Sequence, residues 1–286
     1  MNILSIQSGV IYGHVGNGAA VFALQRLGHE VWPIDTVRFS NHPGHGAVRG
    51  GATAPAEMAE LIGGLADHGW LGTAGAVLTG YLGQADQGPV VLEAVARVRD
   101  ANPDALWALD PVIGDHGRVF VKPGIPAFLR DQAAPHADIL TPNAFELSLL
   151  TARSCDRLAE AVAAAHDLRI AGGRADRIVA VTALAPADGA PGMLVNLAIG
   201  PAGAWRVTTP RIEHPANGAG DLFAALLLGN YLANRDLRGA LAAATASVHA
   251  VIARSAAARS RELVLIGAQD ELVRPSILFA PEPLAA

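Results

Sequence analysis

The chain has 286 residues, of which 51% are hydrophobic and 16% charged. A chain this long and apolar can bury a large core, which excludes intrinsic disorder. No stretch reaches eighteen uncharged, strongly apolar residues, so we expect a soluble protein without a membrane span. With 21 Lys and Arg against 26 Asp and Glu, the net charge is −5 and no basic block stands out, which argues against nucleic acid as the main partner.

In chain order, short β-branched runs alternate with longer Ala- and Leu-rich segments of helical period. Asn2–Gln7 reads as a first strand; no basic n-region precedes it, so no signal peptide is expected. Val15–Leu27 reads as a helix that Gly28 terminates. Val31–Ile34 is a second strand, Pro55–Asp67 has helical spacing, and Ala76–Thr79 is strand-like. Gln87–Ala101 is helical up to the Asn102-Pro103 stop. Leu106–Leu109, Asp138–Leu140 and Arg177–Val181 are short strands of the buried type, the first two leading into polar loops. The single cysteine, Cys155, excludes an internal disulfide or a Cys-built zinc site and suits a reducing cytoplasm. Met193–Ile199 and Trp205–Thr208 form a hairpin pattern around Gly200-Pro201, and from Ala219 onward the pattern is mostly helical. This alternation predicts one domain over residues 1–286, a three-layer α/β/α fold with a central, mostly parallel sheet. In such sheets ligands collect beyond the carboxyl ends of the strands, where the polar motifs fall.

Five motifs carry chemistry. In Pro215-Ala216-Asn217-Gly218-Ala219-Gly220-Asp221-Leu222-Phe223, two glycines and an alanine open a helix, so backbone N–H groups can approach a phosphate. An aspartate there has the wrong charge to bind phosphate itself; Asp221 is either a base for an attacking hydroxyl or a helix cap. In Thr141-Pro142-Asn143-Ala144-Phe145-Glu146-Leu147, Asn143 and Glu146 have capping-box spacing; the alternative is that Glu146 holds magnesium through water. Asp110, in Leu109-Asp110-Pro111-Val112-Ile113-Gly114-Asp115, follows an apolar strand at a ligand lip or a turn. Ile6–Asn17 is a Gly-punctuated polar loop containing Ser8 and His14, and Phe39–Gly46 is a Gly/His loop with no trusted metal-ligand spacing.

In this order the five stretches resemble the pyridoxal kinases of the ribokinase-like superfamily, in particular the bacterial pyridoxal/pyridoxamine kinases. The resemblance runs from Ile3 to about Phe279. It rests on Ile6-Gln7-Ser8, Tyr12-Gly13-His14, Val31-Trp32-Pro33, Phe39-Ser40-Asn41-His42, Gly80-Tyr81-Leu82-Gly83, Asp110-Pro111-Val112, and Pro142-Asn143 through Glu146-Leu147. The Gly-Ala-Gly-Asp turn is common to many sugar and vitamin kinases, whereas the Gln-Ser, Tyr-Gly-His and Phe-Ser-Asn-His set belongs to the vitamin B6 branch.

The resemblance implies a ribokinase-like fold and a cytoplasmic homodimer. It implies phosphorylation of the 5′-hydroxymethyl group of pyridoxal in B6 salvage, with ATP as co-substrate and Mg2+ as cofactor. Its partners would be ATP and a B6 vitamer, not nucleic acid or membrane. By the same resemblance, Ser8 would bond the pyridine ring, with Pro43, Gly44 and Tyr81 on the substrate side. Asp110, Thr141, Glu146 and Thr182 would face the nucleotide, with Asp110 and Glu146 holding the metal through water. Thr209, Pro210, Arg211 and Ile212 would line the nucleotide. Asp221 would be the base, with the amides of Gly218, Ala219 and Gly220 around the transferring phosphoryl group. The chain departs from the pattern at Thr182, where many members carry a phosphate-facing lysine, at Asn217, and at Pro43-Gly44. Arg211 is the candidate to supply the missing cation. Two other readings stand beside this one: a hydroxymethylpyrimidine-type kinase on the same fold, and a weakly catalytic B6-vitamer-binding protein, which Thr182 favours and the intact Asp221 turn opposes.

Overall fold

The computed structural model describes residues 1–215 and 217–284. It runs β1 (Asn2–Tyr12), α1 (Asn17–Arg26), β2 (Glu30–Asn41), β3 (Gly50–Ala52), α2 (Pro55–Asp67), β4 (Ala74–Thr79), α3 (Gly88–Ala101) and β5 (Leu106–Leu109). Next come the small hairpin β6 (Gly114–Asp115) and β7 (Arg118–Val119), α4 (Ile125–Phe128), β8 (Ile139–Leu140), α5 (Ala144–Thr151), α6 (Leu158–Ile170) and β9 (Ile178–Leu184). The chain ends with β10 (Met193–Gly200), β11 (Gly203–Pro210), α7 (Ala219–Asn234), α8 (Leu237–Ala257) and β12 (Glu282–Pro283).

A ten-stranded sheet has the order β12-β11-β10-β9-β8-β5-β4-β1-β2-β3. From β2 to β9 every pairing is parallel, and the flanks are antiparallel. Successive strand residues point to opposite faces, so a sheet covered on both sides reads as a continuous apolar run. Leu4, Val77, Trp107 and Val181 pack one face against α2, α3, α5 and α6 through Met58, Val95, Leu147 and Leu168. Their neighbours Ile3, Ala76, Ala108 and Ala180 pack the other face against α1, α7 and α8 through Leu24, Leu226 and Leu241. These are the three layers expected. Helix α8 is long and apolar enough by composition to cross a membrane, but half of its most apolar window is buried, within the second core.

The structure differs from the sequence reading at several boundaries. β1 and β2 continue past Gln7 and Ile34, pairing Gly9 with Arg38 and Tyr12 with Asn41 beyond a bulge. Burial fades along that extension, so no alternating pattern marks it. α1 starts at Asn17 rather than Val15, because Gly16 has φ 52. The start of α5 matches the capping-box spacing of Asn143 and Glu146, whereas helices α4 and α6 and the short strands β3, β6, β7 and β12 were not foreseen. The helical tail holds only to Ala257; beyond it lie a short 3-10 turn at Gln269–Leu272 and β12.

Candidate active site

In the parallel sheet the carboxyl ends of β1, β4, β5, β8 and β9 share one edge, which carries Tyr81, Asp110 and Thr141 just past their strands and Thr182 within the last residues of β9. Across this edge stands the start of α7. Gly218 takes φ 87, and a Cβ there would collide with the His14 carbonyl, so the turn requires glycine. Gly220 is different: its φ is ordinary, and a Cβ built on it would have Asp110 Oδ2 as its nearest neighbour at 3.9 Å. Its missing side chain leaves open space in front of Asp110. Gly218 holds the cap position of α7 without any side-chain bond, so Asp221, in the first turn, does not cap the helix. The Gly16 backbone N–H faces its carboxylate and holds its pKa down; burial outweighs this and raises the pKa above the ordinary carboxylate range. Ala216 lies outside the described residues.

Asp110 is 5% exposed. Thr141 Oγ1 donates to its Oδ1 at 3.1 Å. Burial, then the charges of Glu146 and Asp221, push its pKa well upward against the Thr141 bond. Glu146 is the second half of a full capping box: Asn143 Oδ1 accepts from Glu146 N at 2.9 Å, and Glu146 Oε2 accepts from Asn143 N at 3.0 Å. Its other oxygen, Oε1, accepts from Ile113 N at 2.9 Å and Gly114 N at 3.4 Å. One carboxylate therefore starts α5 and braces the loop that follows Asp110. Burial pushes Glu146 up to about 7, with the three backbone N–H groups pulling back.

Thr182, Thr209, Pro210 and Ile212 line one cleft with Ala219 and Gly220, joining the expected nucleotide residues to the Asp221 turn. Arg211 does not line it. Its guanidinium pairs with Glu213 at 2.8 Å in the open, which removes it as the obvious replacement for a lysine at 182. The sequence reading missed Asn196, Thr245 and His249, which complete the wall. Asn196 accepts from Ala183 N at 2.8 Å and donates to Thr245 Oγ1 at 3.1 Å. The available signal was Thr245 and His249 spaced four apart on an otherwise apolar helix, hence on one face.

On the other side, Ser8 is 8% exposed, and its carbonyl and Oγ pack so closely on Gly16 that a Cβ at Gly16 would strike both. Beneath it Asn17 takes a bond from Ser5 Oγ at 2.8 Å and donates to Asp35 Oδ1 at 2.8 Å, a buried brace the sequence reading also missed. Pro43 and Gly44 lie in a 3-10 turn that reaches the Asn217 amide. Tyr81 is half-buried, which raises its phenol pKa. Its carbonyl accepts from Thr36 Oγ1 at 2.7 Å.

No group of three or more His, Cys, Asp or Glu side chains forms a ready metal site among the described residues. The donor set still suits magnesium. Glu146 and Asp221 lie near enough to Asp110 for their charges to raise its pKa, and magnesium takes one or two carboxylates while keeping much of its water.

Parallel strands, a glycine turn opening a helix and a buried carboxylate at the carboxyl edge of the sheet are the frame of a phosphoryl-transferring α/β enzyme. The family profile described as phosphomethylpyrimidine kinase matches residues 73–263. Pyridoxal kinase PdxY of Rubrobacter xylanophilus is 49% identical over 281 residues, covering 98% of this chain and 96% of the relative. Pyridoxal kinase PdxY of Deinococcus radiodurans is 47% identical over 285 residues, with 98% and 96% covered. The solved structure of pyridoxal kinase from Leishmania donovani in complex with ADP and pyridoxamine is 32% identical, with a TM-score of 0.91 and 99% of both chains covered. The chain belongs to the pyridoxal kinase family.

Proposed function

We propose that the chain, as one domain over 1–286, transfers the γ-phosphoryl group of ATP to the 5′-hydroxymethyl group of pyridoxal. The observation that carries this reading is the placement of Asp221: behind the Gly218 turn, faced by the Gly16 N–H, beside the cleft that Thr182, Thr209 and Ile212 line. Burial raises its proton affinity, which suits a base that must accept a proton from an alcohol. The vitamer would sit on the Ser8 side, its 5′-oxygen toward Asp221. As that oxygen attacks the γ-phosphorus, its proton passes to Asp221 Oδ, the bond from the γ-phosphorus to the β–γ bridging oxygen breaks and ADP leaves with that electron pair, and the N–H groups at the start of α7 face the charge on the phosphoryl oxygens. Thr141 holds Asp110 in orientation, and Glu146 fixes the loop that carries it. Asp110, and Glu146 through water, would hold Mg2+, which supplies neutralisation of the phosphate oxygens when bound.

A hydroxymethylpyrimidine-type activity fits less well. The matching kinase profile begins at residue 73, whereas the relatives named pyridoxal kinase match 98% of the chain, which takes in most of the segment before residue 73. A cytoplasmic homodimer completes the proposal. The test is ATP-dependent conversion of pyridoxal followed by phosphorus NMR; a product phosphorylated on the 5′-oxygen supports it, and ATP without such a product refutes it.

A further inference from the structure

Glu262 lies outside every motif discussed so far, yet it is 8% exposed and both its oxygens are engaged. Oε2 accepts from His14 N at 2.9 Å. Oε1 pairs with His45 Nε2. The side chain of His45 stands at the tip of the β2–β3 connection and meets the Tyr12 ring edge-on at 5.6 Å. Next to Glu262, Arg261 Nη2 donates to the Gly44 carbonyl at 2.8 Å, so two successive residues hold the same turn from beneath. The backbone of Glu262 also bridges to Asn217, just before the Asp221 turn.

The His14 contact leads further inward. The His14 carbonyl is packed against Gly218 Cα so closely that no Cβ fits there, and two residues on, the Gly16 N–H faces the Asp221 carboxylate and lowers its pKa. Gly13 has φ 109, and a Cβ on it would strike the Glu262 carboxylate; the Gly13–Gly16 loop is thus shaped around Glu262 on one side and the α7 turn on the other. We propose that Glu262 is a positioning residue: through His45 and His14, it couples seating of the 42–46 turn over the site to alignment of Asp221. This rests on the kinase reading above for its kinetic consequence, but its structural content does not.

The test compares wild type, Glu262→Ala, His45→Ala and the double variant. His45→Ala removes only the outer contact, so the KM for pyridoxal should rise about tenfold with kcat retained, the scale of one charge-assisted bond. Glu262→Ala removes both contacts, so kcat should fall about tenfold as well, and the double variant should match it rather than multiply the two effects. Hydrogen–deuterium exchange on the same proteins gives a readout independent of turnover. In Glu262→Ala, the 13–16 and 42–46 amides should both exchange faster, and in His45→Ala only the 42–46 amides. Unchanged exchange at 13–16 in Glu262→Ala, or multiplicative KM effects in the double variant, would overturn the coupling. Wild type that fails to phosphorylate pyridoxal would overturn the kinase reading and leave the exchange result to decide this one.

Discussion

Replacing Glu146 with glutamine separates its structural from its electrostatic work. If Glu146 did no more than close the capping box the change would be nearly silent, since an amide oxygen can replace a carboxylate oxygen there. The structure contradicts that. Oε1 accepts from Ile113 and Gly114 and Oε2 from Asn143, so every orientation of the amide turns its NH2 onto a backbone N–H. A buried donor left without an acceptor costs about 1–3 kcal/mol. Part of this is offset, because the lost group is a carboxylate that burial already pushes up to about 7. A net loss of about 1–2 kcal/mol lowers Tm by roughly 2–8 °C in a chain of this size. Thermal unfolding without nucleotide reads that term alone, and magnesium titration of activity reads the metal term. Asn143→Ala is the control: it removes the cap at a cost of about 1 kcal/mol but leaves the carboxylate, so its magnesium midpoint should stay at the wild-type value while that of Glu146→Gln rises. A Glu146→Gln protein with unchanged Tm would refute the bracing argument, and equal magnesium midpoints in all three would confine Glu146 to a structural part.

Asp221→Asn should fold normally and lose roughly 10²–10⁴ in turnover. Because burial raises the Asp221 pKa and only the deprotonated form accepts a proton, kcat/KM should fall with decreasing pH through a pKa above the usual carboxylate range, and pH profiles should show that limb missing in the variant. Gly218→Ala places a Cβ on the His14 carbonyl at φ 87 and should lower Tm, whereas Gly220→Ala should leave Tm unchanged and raise the ATP KM, because its Cβ enters the space before Asp110. Thr182→Lys should lower the ATP KM about tenfold, the equivalent of roughly 1.4 kcal/mol, while Arg211→Ala, which breaks only an exposed pair with Glu213, should leave it unchanged; steady-state kinetics on both decide the point.

The layers and the parallel sheet were legible because strands buried on both faces leave apolar runs, as at Leu106–Leu109 and Ile178–Val181, between helices of regular period. The extension of β1 and β2 was not, since its residues lie half in solvent and carry no alternating pattern. Among the site residues, Thr182, Thr209, Pro210 and Ile212 do share a cleft with the Asp221 turn, and Ser8 reaches that turn through Gly16. Arg211 pairs with Glu213 in the open, a partner that its place beside Pro210 and Ile212 in the sequence does not reveal. The sequence does not tell Gly218 from Gly220; only the backbone conformation shows that the first leaves no room for a Cβ and the second does. Glu262 was invisible: a single glutamate almost two hundred and fifty residues from His14 has no local signature.

The most direct test of the central claim is a competition assay with ATP and equal amounts of pyridoxal and hydroxymethylpyrimidine, the products separated by mass. The account predicts ADP formed in step with pyridoxal 5′-phosphate and little pyrimidine product, with both lost in Asp221→Asn. Preferential phosphorylation of the pyrimidine, or vitamer binding without ADP release, would contradict it.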